Sequence, residues 1–369
     1  MKTPLLRRIG LTVAAPLTAG LFALIVSALV LEASGSPAVE TFRVMLENGL
    51  KLETMVDTLN RATPLFLAGV AAAIGFRMNL FNIGVEGQYI LAGFLAAWIG
   101  ASVVLPGPLH VGLIVVSAMV IGGLWSGIAG VLKVTRGVNE VISTIMLNFI
   151  ATGAIVAGLL PRAIEDPTAT NQGTPTIAES GWLPNLNWVL ELVTRDITKG
   201  RKLTGVIAIA IVVGVIYHVV LNRTRIGFDL RSSGMNPFAA RAGGVPPKKM
   251  VMYAMIATGM VAGLVGMPEI LSDNHAYDQG FIQGLGFAGI AVALLGRNNA
   301  PGMAFAALLF GFLDSSSAVL QVRSTASSEI VTIMQAVILL AAVVAYEIVN
   351  RIRQRDEVQR ASLLSGAAS

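Results

Sequence analysis

The chain has 369 residues, 54% hydrophobic and only 13% charged, with 26 Lys and Arg against 21 Asp and Glu and no cysteine. A soluble chain carries about 25% charged residues, so this deficit, with a mean hydropathy of +0.73, points to a protein whose solvent is mostly lipid. The missing cysteine excludes disulfides, thiolate catalysis and cysteine-bound metal.

A hydrocarbon core about 30 Å thick is crossed by ~20 apolar helical residues. Stretches of that kind predict ten spans, at 9–31, 58–76, 83–100, 108–132, 138–160, 203–221, 250–270, 281–296, 302–321 and 330–349. The opening Met1-Lys-Thr-Pro-Leu-Leu-Arg-Arg8 mimics a signal peptide. Its apolar run is longer than the 7–15 residues of such a segment, so a retained first helix is expected. Starting inside, the segments 1–8, 77–82, 133–137, 222–249, 297–301 and 350–369 are cytoplasmic and hold 17 of the 26 Lys and Arg. This bias follows the positive-inside rule and predicts that both termini are cytoplasmic. The chain then divides into 1–57 (tail, first helix and outer loop), a core at 58–349 and a cytoplasmic tail at 350–369. Its basic residues are spread over short loops and do not interleave with aromatics, which excludes nucleic acid as a partner.

Two loops stand out. The outer loop 161–202 holds Trp182, Trp188, Pro161, Pro167, Pro175 and Pro184. A loop of this length has a function of its own; an interfacial helix and a docking surface for an external partner are both open. In the inner loop 222–249, Asn236 is placed to cap a helix with Pro237 at its first position and Phe238, Ala239, Ala240 and Arg241 continuing it. Gly243 and Gly244 end it, with Pro246 and Pro247 beyond. That is a rigid cytoplasmic peg of two turns or fewer, suited to passing force to a soluble partner.

Gly284-Leu-Gly-Phe-Ala-Gly289 fits the dinucleotide fingerprint, but it opens an apolar span and lacks the strand that the fingerprint requires. Close helix packing through small residues explains it, as it does Gly123-x-x-x-Gly127 and Gly259-x-x-x-Gly263. No G-x-x-x-x-G-K-[ST] phosphate loop is present, and His110, His218 and His275 have no second histidine at metal-binding spacing. No catalytic constellation can be read. Polar residues in or beside the spans are the remaining signal, since in lipid they face a bundle interior or a water path. One cluster is Arg77, Asn79, Asn82, Glu86 and Gln88, with Glu86 in the first turn of its helix. A second is Asn139 and Glu140 with Ser143, Thr144 and Asn148, of which Glu140, Thr144 and Asn148 form one i, i+4, i+8 stripe. A third is Asp314 with Ser315, Ser316, Ser317 and Gln321. For each, interhelical hydrogen bonding competes with lining of a path. The isolated acids do not form the chain of buried groups that a proton relay needs.

Asn82-Ile-Gly-Val-Glu-Gly-Gln88, Gly137-Val-Asn-Glu-Val-Ile-Ser-Thr-Ile-Met-Leu-Asn148 and Gly234-Met-Asn-Pro-Phe-Ala-Ala-Arg-Ala-Gly243 resemble permease subunits of bacterial ABC importers for branched-chain amino acids, ribose and nucleosides. With Gly284-Leu-Gly-Phe-Ala-Gly-Ile-Ala-Val-Ala-Leu-Leu-Gly-Arg297, the set is most similar to the longer permease of nucleoside importers of the basic-membrane-protein type, over residues 58–349. The resemblance implies an all-α polytopic fold of the vitamin-B (type II) importer class with about ten spans. It implies a second permease subunit, two ABC ATPase subunits that bind ATP and Mg, and a substrate-binding lipoprotein or periplasmic protein outside. No cofactor is then expected on this chain, which is not itself an enzyme and lies in the bacterial inner membrane. The family's coupling helix maps onto 236–243. Asn82, Glu86, Gln88, Asn139, Glu140, Thr144, Asn148 and Asp314 are expected to border the substrate path. Sugar or amino-acid cargo, and an ion-coupled carrier, are the alternatives.

Overall fold

Helices α3 (Leu52–Phe76), α5 (Gly107–Arg136), the continuous run Glu140–Ala163 and α9 (Val206–Arg223) are each long and apolar enough to cross a bilayer. A fifth crossing is available if α1 (Leu24–Ala33) and α2 (Ala38–Gly49), bent by 118°, count as one broken span. The protein is therefore a multi-pass integral membrane protein. The structure, a computed structural model, describes residues 21–22, 24–164, 172–192, 200–320, 330–341 and 344. Among the described residues it is helical, and the one strand-like contact is an isolated bridge between Gly173 and Asp278. The tails 1–8 and 350–369 and the loop 322–329 lie outside the described residues, as does most of the span expected at 9–31.

Local sequence explains where the helices start and stop. Pro108 sits in the first turn of α5, where its missing N–H has no helical partner to lose, and Gly137 closes that helix at φ 69°. Asn139 then caps α6 (Glu140–Phe149) by accepting a hydrogen bond from Val141 N at 2.8 Å. A π turn over Ile150–Val156 joins α6 to α7 (Ala157–Ala163), so the span expected at 138–160 is one continuous but widened helix. After α8 (Asn187–Glu191) and α9 come α10 (Arg225–Met235), which sequence reading missed, and α11 (Pro237–Ala242). Next are α12 (Pro247–Gly263), α13 (Leu285–Leu295), α14 (Ala300–Ser317) and an apolar helix at Ile330–Ala341.

Among the described residues, those of 51–315 form one compact unit, and those of 1–50 with 316–344 form another. In the smaller unit Ala38 N donates to Glu32 Oε1 at 2.8 Å across the α1–α2 bend, and Asn48 Nδ2 donates to the Ser316 carbonyl at 3.4 Å. In the larger unit α5 and α12 run antiparallel in close contact. A Cβ at Gly122 would strike the Gly259 carbonyl, and one at Gly263 would strike Ala118. The packing face thus runs through Ala118, Gly122 and Ser126 against the expected Gly259 and Gly263; of the expected α5 pair, Gly123 packs at its border against Met260 and Gly127 stands in open contact with Ile256. Near one end of this unit the Arg77 guanidinium donates to the Asn298 carbonyl at 3.1 and 2.7 Å, Tyr217 Oη donates to the same oxygen at 2.7 Å, and Lys133 pairs with Glu140.

At the other end, residues 172–192 lie along 269–281. Leu183 N, Ile177 N and Thr174 N donate to the carbonyls of Leu271, His275 and Tyr277 at 2.9, 2.8 and 2.8 Å. The Trp182 ring stacks on His275 with centroids 3.9 Å apart and planes within 10°. Among the described residues of this loop, the helical structure beyond α7 is a 3-10 turn at Glu179–Gly181 and the five residues of α8.

Candidate functional site

Two helices of the larger unit start inside the membrane-spanning layer. After α3 the chain turns back on itself, with Leu80 N donating to the Gly75 carbonyl at 3.0 Å and Asn79 at φ 57°. Residues 80–84 then re-enter the helix layer, and α4 (Val85–Ala101) begins there. Its start is level with Asn148, about 12 Å along α6 from Glu140 at 1.5 Å per residue. From the opposite side, residues 278–284 descend and α13 begins at Leu285 after Gly284 at φ 89°. Its 11 residues span about 16 Å, half a bilayer. Both N-termini, each with unpaired N–H groups, therefore meet near mid-depth, where no water is at hand to satisfy them.

Side chains do so instead. Glu86, on the first turn of α4, accepts from Gly284 N at 2.6 Å through Oε1 and from Gly286 N at 2.9 Å through Oε2. Its carboxylate so closes the N-terminus of α13, where the positive end of the helix dipole favours an anion. Tyr89 Oη lies 3.0 Å from Glu86 Oε1 and 2.8 Å from the Ile282 carbonyl, so one phenolic proton is shared between two acceptors. Asn148 reaches across from α6 to do the same for α4: its Oδ1 accepts from Gly87 N at 2.9 Å and its Nδ2 donates to the Ile83 carbonyl at 2.9 Å. Asn82 Oδ1 accepts from Gly84 N at 2.9 Å, and the Asn82 and Gln88 amides bond each other reciprocally at 3.1 and 3.3 Å. Asn82, Glu86, Gln88 and Asn148 are all buried. Close approach requires glycine here: a Cβ at Gly87 would lie 2.7 Å from Asn148 Cα, and one at Gly286 2.5 Å from Glu86 N.

Five expected site residues, Asn82, Glu86, Gln88, Thr144 and Asn148, come together in this cluster. Thr144 is fully buried beside Gly84 and returns its hydroxyl to the Glu140 carbonyl at 2.7 Å. Glu140 and Asn139 sit apart, near the end of the unit. Glu140 is buried against Lys133 and accepts weakly from Phe81 N at 3.5 Å, while Asn139 is exposed and caps α6. Asp314 is half-buried on α14. Within this chain the Glu140–Thr144–Asn148 stripe faces protein, and its described partners are protein groups. Sequence reading missed Tyr89, Gly84, Gly87 and the Gly284–Gly286 turn. The available signal was that two short apolar runs each open on a glycine, a pattern associated with mid-membrane helix breaks.

The peg at the end of the unit stands free. Asn236 Oδ1 accepts from Phe238 N and Ala239 N at 3.0 Å each, Pro237 opens the helix, and Gly244 at φ 83° ends it. Only Ala240 of α11 is buried, while Phe238 is 84% exposed and the preceding Met235 is 81% exposed.

Residues 54–343 match the family model described as branched-chain amino acid transport system / permease component. The chain is 35% identical to a guanosine ABC transporter permease protein of Bacillus subtilis, over 90% of this chain and 93% of that one. It is 30% identical to a glucose ABC transporter permease protein of Haloferax volcanii, over 88% and 85% of the two chains. It is also 30% identical to a nucleoside ABC transporter permease protein of Lactococcus lactis, over 82% and 83%. Apolar helices, a mid-membrane helix junction and a protruding short helix thus sit in a chain that belongs to the family of branched-chain amino acid transport system permease components.

Proposed function

We propose that this chain is the permease subunit of an ATP-driven ABC importer of nucleosides. The observation that carries the cargo is its similarity, along nearly its whole length, to a guanosine permease protein. In this reading about ten spans form a type II importer fold in the bacterial inner membrane, with both termini cytoplasmic. A second permease subunit completes the path, and a lipoprotein or periplasmic protein delivers substrate outside. Two ABC ATPases hold ATP and Mg, and this chain catalyses no reaction.

The exposed α11 is the contact for an ATPase. Its capped first turn and buried Ala240 make it a stiff lever, and Phe238 and Met235 supply apolar surface for a groove on the partner. ATP-driven closure would push this helix and rock the spans around the path. The mid-depth cluster borders that path: Glu86 and Asn148 hold the start of α4 to the short α13 and to α6 so that they move as one body, and neutral amides there suit an uncharged nucleoside.

Pull-down of the chain from its native membranes in mild detergent, with mass spectrometry of what accompanies it, tests the reading. An ATPase with a phosphate loop, a second permease and a receptor are expected, and the receptor's ligand identifies the cargo. A receptor that binds glucose and not guanosine would move the cargo to sugars, in line with the Haloferax volcanii relative. A chain recovered alone would defeat the importer.

A further inference from the structure

We propose that the groove between α5 and α12 is a binding site for one anionic phospholipid, with an acyl chain in the groove and its phosphate at the end nearer the α11 peg. Val120, Gly123, Leu124, Gly127, Ile128, Val131 and Leu132 form one wall and Met252, Ile256 and Met260 the other, enclosing about 540 Å³. Every lining residue is apolar, and the groove exists because Gly123 and Gly127 contribute no side chain. A Cβ at Gly127 would approach only Ile256, at 3.6 Å, so the space there is open. From Val120 to Leu132 the groove runs about 18 Å along α5, close to the ~15 Å depth of one leaflet's hydrocarbon. The two methionines give it a floor that adapts to a flexible chain.

Charge fixes the occupant. Leu124, Ile128, Leu132 and Arg136 follow one another at steps of four along α5, so the stripe that lines the groove ends on a cation. On α12 the stripe Met260, Ile256, Met252 continues by the same step to Lys248. The helices are antiparallel, with Gly130 against Met252 and Met255, so both cations fall at the same mouth. Arg136 and Lys248 are exposed, and neither has an ion-pair partner among the described residues, whereas Lys133 nearby is taken by Glu140. The α12 N-terminus adds the positive end of its dipole at that mouth. A wholly apolar slot ending in two free cations is complementary to a diacyl lipid with an anionic head.

Purified full-length chain in a zwitterionic detergent, titrated with dioleoyl phosphatidylglycerol or dioleoyl phosphatidylcholine and read by native mass spectrometry, tests this. One phosphatidylglycerol should be retained about 25-fold more tightly than phosphatidylcholine, from about fivefold for each of the two cations. The double variant R136Q/K248Q should lose that preference, and G127L should displace both lipids by filling the groove. Equal retention of the two lipids by the wild type, or a preference that survives in the double variant, would overturn the proposal. Because the chain has no cysteine, L124C carrying a photoactivatable maleimide reports the occupant in native membranes. Adducts on phospholipid support the site, and adducts on another polypeptide refute it.

Discussion

Replacing Glu86 is the sharpest test of the mid-depth junction. Its carboxylate closes two backbone donors, Gly284 N at 2.6 Å and Gly286 N at 2.9 Å, and shares the Tyr89 proton at 3.0 Å. In Glu86→Ala the hydroxyl keeps the Ile282 carbonyl, but both amides stay buried with no acceptor. Each unsatisfied donor costs about 1–3 kcal/mol, so the loss is ~2–6 kcal/mol, less whatever is recovered by no longer burying a carboxylate. Glu86→Gln keeps one acceptor oxygen but turns its NH2 towards the second amide, so about half of that loss is expected. Stability would be followed by thermal unfolding of the purified protein in mild detergent, with the exposed Glu179→Ala as control. The expected order of stability is wild type and Glu179→Ala together, then Glu86→Gln, then Glu86→Ala. If Glu86→Ala were as stable as the control, the carboxylate would not be holding α13 to α4 and the junction as described would be wrong.

Other outcomes follow from the same geometry. Asn236→Ala removes the acceptor for two N–H groups of α11 and should loosen the peg by ~1 kcal/mol; vesicle uptake should fall while membrane levels hold. Phe238→Ala, at a side chain that is 84% exposed, should leave thermal stability unchanged and cut co-purification of the ATPase. Gly122→Val or Gly259→Leu should abolish folded protein in the membrane, measured by size-exclusion profile, because each Cβ meets the opposing backbone. Burial, with Lys202 adding to it, holds the His275 imidazole below its ordinary value. The depressed value means that the unfolded chain takes up the proton first, so stability is full above about pH 6.5 and declines as pH falls below it. His275→Gln should flatten that decline in thermal unfolding at pH 7.5, 6.5 and 5.5.

Most of the long helices were legible because length and hydropathy decide a membrane span without help from tertiary contacts. The α11 peg was legible for a different reason: Asn236, Pro237 and the following glycines are local signals that act within one turn. The depth at which α4 and α13 begin was not legible. A run such as 281–296 reads as a full span by hydropathy, yet Gly284 at φ 89° delays the helix to Leu285, and only the contact with Glu86 shows where it starts. The Glu140, Thr144, Asn148 stripe was legible as a stripe, but its two ends serve different partners. Lys133 takes Glu140 near the end of the unit and Gly87 takes Asn148 near mid-depth. Periodicity gives a direction from the helix axis and does not say what stands there. The same limit put the α5 packing face at Gly123, when Gly122 meets the Gly259 backbone and Gly123 stands beside it against Met260, on the apolar groove.

The central claim is that this chain moves nucleosides only when ATP is hydrolysed beside it. The most direct measurement is uptake of labelled guanosine by proteoliposomes containing the chain with its co-purified partners and receptor, with and without ATP in the compartment that holds the ATPases. Uptake that requires ATP and is lost with Phe238→Ala is predicted. Uptake by the chain alone, driven by an ion gradient and indifferent to ATP, would contradict the account.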